Sequence, residues 1–204
     1  GCQAVLIGFE SLNAENLKKM NKGFNLMKGG FEQALANLRR YKIKLYITFV
    51  FGYDEDTEDS FDVTVDFALY HKFYIAAFNH LTPFPGTALY RSLEQQGRLL
   101  YDAWWLDDRY RYNQIPFRPA RMTPERIQRG CVEARARFYN WSNIWKRGLD
   151  PVNRSNPLMW LQYYSINALF RGEVSQRDDY PLGDENWRGA LLKVRQNPPA
   201  PDHA

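Results

Sequence analysis

An α/β fold with parallel strands, followed by a helical extension, is predicted by three features of this 204-residue chain. Short apolar runs at residues 4–9, 43–51 and 74–79 each stop on polar residues or glycine. Segments with helical spacing of apolar residues separate them, the alternation expected of βα units that pair into a parallel sheet. From about Leu100 no strand-like run of similar quality recurs, and Trp, Tyr and Arg become dense.

The run Ala4-Val5-Leu6-Ile7-Gly8-Phe9 is apolar at nearly every position, which suits a strand buried on both faces. It closes at Glu10-Ser11. Asn13, Asn16, Leu17 and Met20 follow at helical spacing with Gly23 as a stop, so a helix of about two to three turns is expected. A second helix covers about Phe31 to Tyr41, with Phe31, Ala34, Leu35 and Leu38 on one face. Ile43 to Phe51 is the next strand and ends at Gly52. The acidic turn Asp54-Glu55-Asp56 then leads to Thr57, a cap candidate for a helix through Ala68 and Leu69. The third strand, Tyr74 to Asn79, exits into Leu81-Thr82-Pro83-Phe84-Pro85-Gly86, and Thr87 to Gly97 reads as its helix. In the extension, Thr123-Pro124-Glu125 joins a cap to a proline at the first helical position and opens one long amphipathic helix over 123–147, stopped by Gly148. Another helix spans roughly Pro157 to Phe170. The expected organisation is thus a strand-bearing unit over 1–99, a helical extension over 100–195 and a proline-rich disordered tail over 196–204.

Composition narrows the function classes. With 45% hydrophobic and 16% aromatic residues the chain can bury a real core, which excludes a disordered protein. No apolar window approaches the roughly eighteen residues of a spanning helix, and no basic lead with an apolar stretch opens the chain, so the expected location is the cytoplasm. Opening without Met and directly into an apolar strand suggests a chain cut inside a fold. Twenty-seven Lys and Arg against twenty-three Asp and Glu are interleaved, as on a solvated mixed surface rather than a nucleic-acid footprint. Trp104-Trp105, Arg109-Tyr110-Arg111-Tyr112 and Arg118 to Arg121 form the one stretch suited to stacking on single-stranded nucleic acid. Rings packing a helix on a sheet, with Arg stems at the rim, account for it more simply. A non-catalytic α/β interaction domain is a further alternative. The two cysteines, Cys2 and Cys131, provide neither a disulfide framework nor a metal ligand set by themselves.

In parallel α/β architectures the functional residues lie at the carboxyl ends of the strands, here Glu10-Ser11, Thr48 to Glu55, and Asn79 to Thr82. His80 stands at one of these exits, although a lone His beside Asn79 is more often a hydrogen-bonded structural residue. Three strings carry a resemblance: Ile7-Gly8-Phe9-Glu10-Ser11 with Leu17-Lys18-Lys19-Met20-Asn21-Lys22, then Thr48-Phe49-Val50-Phe51-Gly52-Tyr53-Asp54-Glu55-Asp56-Thr57, then Leu81-Thr82-Pro83-Phe84-Pro85-Gly86-Thr87. In order and spacing they resemble the fourth, fifth and sixth strands of the radical S-adenosylmethionine (SAM) barrel, a partial (βα)6 TIM-like barrel. The Pro-Gly-Thr turn is similar to that of members carrying an N-terminal cobalamin-binding domain. Pro116-Phe117-Arg118-Pro119 and the segment from Phe170-Arg171 to Pro181-Leu182-Gly183 are similar to the helical C-terminal extension of that group. The resemblance touches most of residues 1–185.

What it implies is the C-terminal part of a radical SAM enzyme, one that includes cobalamin-dependent methyltransferases among its relatives. Glu10 would accept hydrogen bonds from the SAM ribose or ammonium. Ser11 stands beside it, where helix capping also explains a serine fully. Lys22 matches a basic position that meets the SAM carboxylate, and a surface lysine explains it equally well. Thr48 to Glu55 aligns with Gly-x-Ile-x-Gly-x-x-Glu, whose apolar residue packs on the adenine while the backbone bonds its edge. Thr48 replaces the first Gly and Val50 the Ile. Thr82 and Pro83 belong to the turn that lines the adenine side. The family's 4Fe–4S cluster needs a Cys-x3-Cys-x2-Cys loop, which Cys2 and Cys131 cannot form. Its ligands are therefore expected upstream of Gly1, with the missing N-terminal half and any cobalamin domain. The remaining partners would be SAM and an unknown substrate. Alone, the chain should neither cleave SAM nor stay well shielded at the apolar edge formed by residues 4–9.

Overall fold

A computed structural model describes residues 1–21 and 30–174. Strands β1 (Ala4–Glu10), β2 (Lys44–Phe51) and β3 (Ile75–His80) form a parallel sheet in the order β1-β2-β3. The helices are α1 (Ala14–Lys19), α2 (Gly30–Arg40), α3 (Asp59–Tyr70), α4 (Ala88–Gln95), α5 (Pro124–Phe138), α6 (Trp141–Gly148) and α7 (Pro157–Glu173). No described helix is long and apolar enough to cross a membrane. The expected tail at 196–204 and the end of the extension, 175–195, lie outside the described residues, as does the expected stop at Gly23.

Side-chain caps set most of the helix starts. The Asn13 carboxamide oxygen accepts from the Glu15 and Asn16 N–H groups, and Thr87, Thr123, Asn140 and Asn156 each accept one N–H of the helix they precede. Asn140 corrects the expectation of one helix over 123–147. It adopts an extended backbone, caps α6 at 2.8 Å through Asn143 N–H, and its own amide bonds Arg137 O at 2.9 Å, so α5 and α6 are separate helices. Thr57 is not the cap of α3. That helix starts at Asp59 without a side-chain cap, and the Thr57 N–H donates instead to Ser60 Oγ at 3.0 Å.

Helices cover one face of the sheet. Ile47, Phe49 and Phe51 of β2 point into a core with Phe61 and Val65 of α3 and with Ile127, Cys131, Ala134 and Phe138 of α5. On the opposite face the described residues cover only the foot, where Tyr46 and Ile75 meet Ile144 of α6 and Tyr163 of α7. Above it, Gly8, Thr48, Val50 and Ala77 are half-buried and Asn79 is exposed. Hence β1 is not buried on both faces as its apolar run suggests: Leu6 is 62% exposed, because β1 ends the sheet and no described element packs over that side.

Two buried polar residues hold β3 in place. The Tyr139 hydroxyl accepts the Ala76 N–H at 3.3 Å and donates to Ala76 O at 2.9 Å, satisfying the strand's outer edge. Arg147, fully buried, donates to Phe73 O, Tyr74 O, Phe138 O and Asn167 Oδ1 and lies 3.7 Å over the Phe138 ring.

Candidate functional site

The exit of β1 is shaped by a bulge. Gly8 pairs with Thr48 and Glu10 with Phe49, so Phe9 is the extra residue and drops into the helix-side core. Glu10 takes a left-handed backbone, φ 63°, which costs a non-glycine residue about 1 kcal/mol. Its carboxylate folds back over Gly8: a Cβ at Gly8 would stand 2.6 Å from Glu10 Oε1 and 3.5 Å from Thr48 Oγ1. Gly8, Glu10 and Thr48 thereby form one polar spot on the open face. Ser11 is buried, and its hydroxyl accepts from the Asn13 N–H at 3.0 Å and the Asn16 amide at 3.4 Å, which locks the start of α1.

At the exit of β2 a buried carboxylate organises the turn. Asp56, 2% exposed, accepts the N–H groups of Gly52 (2.9 Å) and Tyr53 (3.0 Å) on Oδ2 and the Asn16 amide (2.8 Å) on Oδ1. Asn16 in turn accepts the Glu55 N–H at 3.2 Å. Burial pushes the Asp56 carboxyl up to about 6, outweighing the three N–H donors that favour its charged form. Gly52 has φ 113°, a conformation that admits glycine almost alone. The Tyr53 phenol is raised well above its ordinary value, first by burial and then by the negative charges of Glu10 and Asp56. Glu55 stands on the rim, paired with Lys19 at 2.7 Å and with Arg121, and the Lys19 bond first of all holds its carboxyl below the usual value.

Two of the cavities at these strand ends take in residues expected at the site from the sequence. One, of about 220 Å³, is lined by Glu10, Ser11, Val50 and Asp56 among others. The second, of about 580 Å³, is lined by Val50, Tyr53, Asn79, His80, Thr82 and an aromatic wall that includes Phe84 and Tyr112. Val50 is common to both. The larger has the size of a small-molecule site, about 300–1,000 Å³, with apolar walls and a few polar groups. Pro83 is absent from both linings. It is buried, and its carbonyl accepts the Trp104 indole N–H at 2.9 Å, so it anchors the turn that presents Thr82 and Phe84. Thr48 meets the site only through the polar spot with Gly8 and Glu10. Lys22 lies outside the described residues.

In the Trp- and Arg-rich stretch the inner rings are packed, while Tyr112 is exposed. Trp104 and Tyr110 are buried against each other with ring centroids 5.0 Å apart, Trp105 meets Tyr90, and Arg109 is paired with Asp107. That arrangement does not favour a nucleic-acid platform. Sequence reasoning missed Asn16 and Asp56, and reached Tyr53 and Asn79 only as members of the strand-exit stretches. Asn16 looked like a helix position and Asp56 like one acid in a solvated turn. Their positions next to strand exits were the available signal.

Among the described residues no group of three His, Cys, Asp or Glu is placed to hold a metal ion. Cys131 is buried in the helix-side core and Cys2 is exposed. Two cysteines so placed do not fit a cluster bound by three thiolates, so this chain's residues do not hold one.

No protein-family model matches the chain. It is 35% identical over 166 residues to the bacteriochlorophyllide d C-12(1)-methyltransferase of Chlorobaculum tepidum, an alignment covering 81% of this chain and 34% of that protein. Against the bacteriochlorophyllide d C-8(2)-methyltransferase of the same organism the identity is 25%, over 73% of this chain and 32% of that protein. The hopanoid C-2 methylase of Rhodopseudomonas palustris is 22% identical over 83% of this chain and 37% of its own length. The chain thus has methyltransferase relatives and spans about a third of their length.

Proposed function

We propose that the chain is the SAM-seating and substrate-facing part of a radical SAM methyltransferase, with its 4Fe–4S ligands in a portion of the parent protein beyond these residues. The observation that carries this reading is the polar spot of Gly8, Glu10 and Thr48 beside Val50 at the ends of parallel strands, in a chain 35% identical to a methyltransferase. Glu10 accepts hydrogen bonds from the ribose hydroxyls or the ammonium, and the strained bulge fixes where its oxygens stand. Thr48 adds a hydroxyl at the same height, and Ser11 holds the turn behind them. Val50 lies against the adenine, with the Thr82-Pro83 turn on the adenine's other side. Lys22 belongs to the same reading as the partner of the SAM carboxylate.

A 4Fe–4S cluster held by residues beyond these would supply the electron for reductive cleavage of SAM, and a cobalamin in the parent protein would supply a methyl carrier. This chain's own contribution is to bind, orient and exclude water. Tyr53 keeps its proton throughout the physiological range, because burial and two nearby carboxyls disfavour the phenolate, so it acts as a hydrogen-bond donor towards the cleft. The aromatic wall of Phe84 and Tyr112 suits a bulky apolar carbon skeleton. That agrees with the bacteriochlorophyllide and hopanoid in the relatives' names. In this reading the three strands are part of a (βα)6 barrel whose other strands join at β1, the sheet end where Leu6 is exposed.

The test is anaerobic reconstitution of the full parent protein with iron and sulfide, followed by SAM and a reductant. 5′-Deoxyadenosine and S-adenosylhomocysteine are expected, and both should fall sharply in Glu10→Ala. A reconstituted, cluster-loaded parent that forms neither product overturns the reading.

A further inference from the structure

Asp56 is a carboxylate held out of water at a place where the proposed contacts to SAM do not require one. Its geometry argues against a helix cap. It lies three residues before the start of α3, yet both oxygens are engaged elsewhere, on Gly52, Tyr53 and Asn16, and α3 begins without any side-chain cap. Asn16 continues the connection, since its amide also donates to Ser11 Oγ and its oxygen accepts the Glu55 N–H. One unbroken set of side chains thus runs from the exit of β1, at Ser11, to the exit of β2, at Gly52 and Tyr53. These are the two exits that bear Glu10 and Val50.

We infer that Asp56, acting through Asn16, is a positioning residue that fixes the spacing between the Glu10 exit and the Gly52–Tyr53 backbone, and so between the ribose and adenine contacts of the SAM site. The inference rests on the SAM reading above. Its physical content is a donor and acceptor order that cannot be permuted singly. In Asp56→Asn one oxygen still serves the two backbone N–H groups, but an NH2 now opposes the NH2 of Asn16. Flipping the Asn16 amide only moves the conflict to the Glu55 N–H. In Asn16→Asp two carboxylates face each other. The double variant Asn16→Asp/Asp56→Asn restores a donor opposite an acceptor: the carboxylate at position 16 accepts from the amide at position 56 and from the Glu55 N–H.

The experiment compares the wild-type parent, both single variants, the double variant and the milder Asn16→Ala in two ways. Steady-state formation of 5′-deoxyadenosine gives KM for SAM and kcat, and hydrogen exchange reports the amides of Gly52 and Tyr53. Each single substitution should raise KM for SAM about tenfold, with a smaller change in kcat, and should speed exchange at both amides. The double variant should recover most of both effects. An unchanged KM in the single variants, or a double variant no better than either single, overturns the inference while leaving the SAM reading intact. If the wild-type parent neither binds nor cleaves SAM, the SAM reading and the positioning role built on it both fall. Hydrogen exchange then still decides whether Asp56 and Asn16 tie the two exits together.

Discussion

Replacing Gly130 by alanine sets two effects of known sign against each other. In the middle of α5, alanine should favour the helix by about 1 kcal/mol over glycine. The new Cβ, however, would stand 2.4, 2.6 and 2.7 Å from three carbons of the Phe61 ring. That ring has little room to retreat. It is 5% exposed, its centroid is 4.4 Å from the Phe51 ring, and the Arg126 guanidinium lies 5.3 Å over it. Overpacking of this kind costs about 1–3 kcal/mol, and a ring confined from behind and above belongs near the upper end. The net expectation for Gly130→Ala is a loss of about 1–2 kcal/mol, or ~2–8 °C in Tm for a chain of this size. Thermal unfolding followed by tryptophan fluorescence measures it. Gly172→Ala is the internal control, because a Cβ there meets nothing within 4 Å and should be neutral or mildly stabilising. Combining Gly130→Ala with Phe61→Leu should cost less than the sum of the two single changes. A Gly130→Ala protein as stable as wild type would refute the close α3–α5 packing.

Three further outcomes are expected. The Asp56 carboxyl titrates at about 6 in the folded chain, above its ordinary 3.8, so the folded state binds more protons than the unfolded one between those values. Stability should therefore rise as pH falls from 7.5 to 5, by about 1 kcal/mol relative to Asp56→Asn in urea unfolding; a flat or opposite difference would contradict the dominance of burial. Tyr139→Phe strips Ala76 of a buried donor and a buried acceptor and should cost about 1–3 kcal/mol in the same assay, with a cost below ~0.5 kcal/mol counting against the edge-sealing role. Gly8→Ala clashes only with the flexible end of Glu10 and makes an ordinary contact with Thr48, so the melting temperature should stay near wild type while KM for SAM in the parent rises several-fold; an unchanged KM would detach Glu10 from SAM.

Much of this architecture was legible because it is local. Apolar runs bounded by Glu10, Gly52 and His80 announced three strands, Thr123 and Asn13 announced helix starts through their own side chains, and the pattern from Thr87 announced another. Where the reading failed, competing side-chain bonds or the packing of other elements decided. The break at Asn140 depends on a back-bond to Arg137, and α3 starts late because Asp56, Thr57 and Ser60 are occupied with one another and with the β2 exit. Burial of β1 on one face alone depends on which elements pack over the sheet, which an apolar run cannot state. The site shows the same division. Glu10, Val50 and Thr82 were visible as strand-end residues, whereas Asn16 and Asp56 meet across forty positions of chain. The aromatic-rich stretch was ambiguous in principle, since stacking platforms and packed rims use the same residues.

The alternation along β2 separates two kinds of selective pressure by a single residue. Leu45, Ile47, Phe49 and Phe51 answer to the helices, so their substitution is read out as lost stability. Thr48 and Val50 answer to whatever lies on the other side of the sheet and touch little of that core. A lineage, or an engineer, could alter these two and their lateral neighbours Ala77 and Asn79 to accept a different ligand while leaving folding almost untouched. Ligand preference and stability in this strand are therefore expected to be independently evolvable, interleaved in sequence yet opposed in space.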